Sequence, residues 1–90
     1  MKKYLIEREI PGVDKLNGEE LKGAAATSNA ALAQLAPKVQ WVQSFVTEDK
    51  TFCFYLAESE DMVREHAKLS GFPATKISEV GAIIDPTTAG

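Results

Sequence analysis

The chain has 90 residues, 44% hydrophobic and 26% charged; this is one domain of ordinary globular balance, and a domain so short buries only about 60% of the surface of its unfolded chain. Ten basic against 13 acidic side chains leave a net charge of −3, the opposite of the basic footprint that nucleic-acid binding needs. No apolar run approaches the roughly 20 residues that span a bilayer. Glu7, Arg8 and Glu9 interrupt the one signal-like start, and the single cysteine excludes an intramolecular disulfide framework. The expectation is a cytoplasmic protein with neither membrane nor nucleic acid as partner.

From the N-terminus, Lys3 to Ile10 alternate as a strand, with Tyr4, Ile6, Arg8 and Ile10 on one side and Leu5, Glu7 and Glu9 on the other, until Pro11-Gly12 stops it. Asn17 followed by Glu20 is a capping-box pattern. It predicts a helix from Gly18 to Leu35 with Leu21, Ala25, Ser28, Leu32 and Leu35 on one face, ended by Pro37. That stripe is narrow and alanine-rich, so the helix is expected to lie close to the sheet it covers. Val39 to Val46 and Thr51 to Ala57 are β-branched and aromatic runs joined by a short polar turn, hence an antiparallel hairpin. Ser59 is placed to cap a second helix, Glu60 to Ser70, with acidic residues in its first turn and Gly71 to end it. Ile77 to Asp85 reads as a last strand with Gly81 inside it, which makes residues 1–85 one domain and 86–90 a short tail.

The order β-α-β-β-α-β with right-handed crossovers is an α+β, ferredoxin-like split motif: a four-stranded antiparallel sheet with both helices on one face. Strict alternation puts Val39, Trp41 and Phe45 on one side of the second strand and Val42 and Val46 on the other, and the third strand is apolar on both sides too. An apolar face that no helix covers is expected to be closed by a second copy, giving a homodimer.

Few residues offer chemistry. His66, the only histidine, falls beside Met62, Val63 and Ser70 on the sheet-facing side of the second helix; it is either a satisfied core residue or a metal ligand or acid/base. Cys53 is either a small buried hydrophobe or a soft ligand. Glu7 needs a partner if covered: Arg8 of another chain, Arg64 or a cation. Glu7, Cys53 and His66 together would supply oxygen, sulfur and nitrogen, a set suited to a late divalent transition metal. Glu58, Asp61 and Glu65 read as a solvated stripe. Trp41 and Tyr55 are packing residues or, with polar tips, walls of a ligand pocket. One histidine allows no Ser-His-Asp arrangement to be argued, and no G-x-G-x-x-G follows a strand.

Ile6-Glu7-Arg8, Trp41, Ser44-Phe45-Val46-Thr47, Asp49-Lys50, Cys53 with Tyr55, Arg64-Glu65-His66-Ala67, Gly71-Phe72-Pro73-Ala74 and Ile84-Asp85-Pro86 together resemble a family of small bacterial proteins long known as a domain of unknown function, some of them described as nickel-binding. The resemblance runs from about Lys3 to Ala89. It implies a ferredoxin-like protomer in a dimeric α/β barrel, nickel as the cofactor or cargo to be sequestered or handled, and no established enzyme activity. It carries over His66 as the best donor, in a matching segment; Glu7 and Cys53 also fall in matching segments. Phe45 and Phe52 stand where tyrosine is expected in many relatives, which removes hydroxyls from any pocket built on them. The rival expectation is a dimeric α/β barrel enzyme or small-molecule binder whose cavity is lined by Glu7, Trp41, Tyr55 and His66.

Overall fold

The computed structural model describes all 90 residues. Strand β1 (Lys2–Glu9) leads to helix α1 (Gly18–Leu35), the hairpin of β2 (Val39–Val46) and β3 (Lys50–Ala57), helix α2 (Glu60–Ser70) and the short strand β4 (Lys76–Glu79). The sheet is antiparallel with the order β2-β3-β1-β4, and this is the ferredoxin-like arrangement.

Local chemistry sets the element ends. The Asn17 carboxamide oxygen accepts the Glu20 N–H at 2.9 Å and the Glu20 carboxylate accepts the Asn17 N–H at 3.1 Å, so the capping box closes α1 reciprocally. Gly71 ends α2 at φ 78°, a left-handed conformation open to glycine, and its N–H donates to the Ala67 carbonyl at 2.9 Å. Ser59 does stand at the start of α2, but its hydroxyl makes no capping hydrogen bond. Asp49, in the β2–β3 turn, accepts the Gly12 N–H on its side chain and the Ile10 N–H on its carbonyl, tying the two turns at that end of the sheet together.

Burial follows parity. On β1, Tyr4, Ile6 and Arg8 are buried against the helix layer while Leu5 and Glu7 are only half-buried on the other face; on β3, Thr51, Cys53, Tyr55 and Ala57 are buried and Phe52, Phe54 and Leu56 are half-buried. The core is Tyr4, Ile6, Val39, Cys53, Tyr55, Ala57 and Val63, with Leu32 and Leu35 of α1 packed against it.

Two expectations are corrected. Strand β4 ends at Glu79, one backbone bond from Val80 to Lys3 follows it, and Gly81 lies outside the strand. Past Val80 the chain runs beyond the start of β1, no ladder partner remains, and Ile83 and Ile84 are exposed. Within the exposed tail, residues 86–89 form a 3-10 turn capped by Asp85, whose carboxylate accepts the Thr87 N–H at 2.8 Å. Strict alternation also fails on β2. Trp41 pairs with Tyr55 but Gln43 with Phe54, so a bulge at Val42 shifts the parity. Trp41, Ser44 and Val46 therefore share the helix side, and Phe45 joins the open face, where its ring meets Phe54 edge to face at 6.1 Å.

Candidate functional site

A cavity of about 370 Å³ lies between the N-terminal half of α1 and the sheet, within the size range of small-molecule sites. Helix α1 contributes Leu21, Ala24, Ala25 and Ser28 to its wall, positions i, i+3, i+4 and i+7 of one face. The alanine-rich stripe thus leaves a void instead of bringing the helix down onto the sheet. Only the C-terminal half, through Ala31, Leu32 and Leu35, packs firmly. The sheet supplies Arg8, Trp41, Ser44, Cys53 and Tyr55. The Trp41 indole N–H donates to the Ser44 hydroxyl at 2.9 Å, so this pair satisfies itself.

Arg8 is the only charged residue in the lining, and it is 2% exposed. Its Nη1 donates to the carbonyl of Pro73 at 2.8 Å, with Phe72 O at 3.5 Å. Its guanidinium lies 5.9 Å from the ring centres of both Tyr55 and Phe72, cation–π contacts that offset part of the cost of burying it. Arg8 forms no ion pair, and its Nη2 has no hydrogen-bond partner.

Beside it stands His66, fully buried on α2. Its Nε2 is 3.1 Å from the Ser28 hydroxyl, its Nδ1 has no partner, and its ring tilts against Tyr55 at 4.9 Å. Burial, and then the positive charge of Arg8, push the imidazole down to about 4. Burial also raises the Tyr55 hydroxyl above its usual value, a shift that Ser28 and Arg8 oppose. Near neutral pH both groups are uncharged.

The site residues expected from the sequence are divided by the sheet. Trp41 and Tyr55 are cross-strand partners that line the cavity, and His66 packs behind Tyr55 and Ser28 without lining it. Glu7 is on the open face, where its partner within the protomer is Lys50 at 3.9 Å and not Arg64. Arg64 pairs with Glu60 at 2.9 Å. Cys53 is buried on the helix side, 3.6 Å from the Thr51 hydroxyl. Glu7, Cys53 and His66 consequently do not converge, and no group of three or more His, Cys, Asp or Glu side chains gathers in the protomer. The donor set of one copy does not fit a nickel ion. Phe45 and Phe52 are on the open face, so the hydroxyls that tyrosines would add there belong to that surface and not to the cavity.

Sequence patterning offers Arg8 only as an ion-pair partner for Glu7 of another chain, and the structure puts it in the cavity wall. The signal was present: it shares parity with Tyr4 and Ile6, and a charge on the buried side of a strand requires a reason.

Comparison with known proteins places the chain. A family model described as "Nickel responsive protein SCO4226-like" matches residues 4–80. No curated protein matches the sequence. Among solved structures, that of SCO4226 from Streptomyces coelicolor A3(2) superposes with a TM-score of 0.76 over 91% of this chain and 99% of that one, at 16% identity; this similarity carries the fold. No helix is long and apolar enough to cross a membrane.

Proposed function

Because the chain belongs to the SCO4226-like family of nickel-responsive proteins, we propose that it acts as a homodimer that takes up a divalent transition metal, nickel foremost, at donors that only the pairing of two copies brings together. The observation that carries this reading is the open sheet face. Leu5, Phe45, Phe52, Phe54 and Leu56 form an apolar, aromatic patch that no helix covers, and aromatic residues are the ones enriched in interface cores. By strand parity Lys3, Glu7, Glu9, Lys50 and Lys76 belong to the same face. Both signs of charge around an apolar centre suit a two-fold, self-complementary contact, in which the acid of one copy meets the lysine of the other.

Of the three donors expected from the sequence, Glu7 alone is on that face, with Glu9 as a second carboxylate of the same parity. Nickel held there requires carboxylate from the second copy and water to complete its coordination, a hard and exchangeable donor set that favours sequestration or handling over tight structural binding. His66 and Cys53, behind the sheet, take no part.

Sedimentation and Ni²⁺ titration calorimetry test this together. Wild type is expected to sediment as a dimer at micromolar concentration and to bind Ni²⁺. Phe54→Lys is expected to be monomeric and to lose the metal, and Glu7→Gln to stay dimeric with weakened uptake. A monomeric wild type, or Ni²⁺ uptake unchanged in both variants, overturns the proposal. A second reading, ligand binding in the cavity under α1, has its own observation in the unpaired Arg8.

A further inference from the structure

The geometry points to a second, metal-independent activity: the cavity between α1 and the sheet binds a small organic carboxylate with an apolar body, and Arg8 is the residue that takes its carboxylate. Two independent observations meet here. The cavity is walled almost entirely by apolar groups, among them Ile10, Val13, Leu21 and Trp41, and its volume suits a molecule of on the order of ten to twenty non-hydrogen atoms. Within that wall sits a guanidinium that is nearly inaccessible to solvent, lacks any acidic counterpart, and holds its Nη2 donors unpaired.

A buried cation without a counter-charge is costly, and native structures rarely retain one without a reason. Backbone carbonyls and two aromatic rings hold Arg8 in place, but neither supplies a negative charge. A ligand carboxylate supplies it, and charge-assisted N–H···O bonds to guanidinium are among the strongest polar contacts available. The charge count selects the ligand. One arginine and no lysine line the cavity, which matches a monoanion; a phosphate dianion would stay half uncompensated. The remaining polar groups are weak selectors: the Trp41 indole is already bonded to Ser44, the Ser28 hydroxyl is already partnered with His66 behind it, and the Tyr55 hydroxyl is neutral near pH 7. Specificity in the body of the ligand therefore comes from shape and apolar contact.

Trp41 is the only tryptophan and lines the cavity, so its fluorescence reports occupancy directly. Octanoate, octan-1-ol and inorganic phosphate are titrated into the metal-free protein. Octanoate is expected to change the Trp41 emission and raise the melting temperature; octanol is expected to bind about tenfold more weakly, and phosphate not to bind at about 10 mM. Arg8→Met is expected to remove the preference for octanoate over octanol. Ala25→Phe, which fills the cavity from α1 and leaves Arg8 in place, is expected to weaken both ligands, which keeps the test valid if Arg8→Met fails to fold. Equal binding of acid and alcohol by wild type, unchanged octanoate binding in either folded variant, or no response to octanoate at about 10 mM overturns the assignment. Phosphate binding as tight as octanoate would show that the site reads charge alone, and would overturn it as well.

Discussion

Protonation of His66 should be a measurable part of the acid instability of this protein. In the folded state the imidazole titrates at about 4, against 6.5 in the unfolded chain. Between those values the unfolded state binds the extra proton, so stability rises with pH across the window. The contribution is complete above pH 6.5 and is lost as pH falls towards 4. At about 1.4 kcal/mol for each tenfold, the whole difference is worth at most about 3 kcal/mol, of which about 2 to 3 kcal/mol is gone by pH 4.5. The structural causes are specific. The groups that set the ring's surroundings are Ser28 of α1, Tyr55 of β3 and Arg8 of β1, and no carboxylate is among them. Because only Nε2 has a partner, an imidazolium would also bury an unpaired N–H. Urea denaturation at steps from pH 7 to 4.5 should be run on wild type and on His66→Gln, whose side chain can still reach Ser28 but does not titrate. Subtracting the two curves removes the carboxylates common to both. The difference should grow by about 2 to 3 kcal/mol as pH falls. Parallel curves would refute the reasoning, because they would mean that the ring is solvated or paired in the folded state.

Two further substitutions test the scaffold. Asn17→Ala removes the capping box at the start of α1 and should cost about 1 kcal/mol by denaturant unfolding with no change in the slope; a loss below about 0.3 kcal/mol would show that the cap is redundant. Ile6→Ala, at a fully buried position in the centre of β1, should cost about 2 to 5 kcal/mol. Retention of wild-type stability there would show that the Ile6 side chain is not part of the packed core.

Much of the architecture was legible in the chain because its signals are local. A capping box, Gly71 after α2, a polar turn between two β-branched runs and period-two alternation on β1 and β3 each depend on neighbours a few residues apart, and all gave elements close to those observed. The last strand was overextended for the converse reason. Ile83 and Ile84 have strand-forming side chains, but whether a strand continues depends on a partner supplied by another part of the chain, and beside them β1 has already ended.

The candidate site shows the same division more sharply. Residue types and strand parity already tell which side chains have chemistry to offer, one histidine, one cysteine and the carboxylates, and which side of β1 carries a charge into the core. It takes the packed elements to separate Glu7 from Cys53 and His66 across the sheet, to turn Phe45 away and bring Ser44 and Val46 beside Trp41 through the bulge at Val42, and to leave space above Arg8 under the small side chains of α1. Alternation and helical period specify a face relative to neighbouring residues, whereas a bulge, a void or an unpaired guanidinium exists only relative to what another element places opposite it.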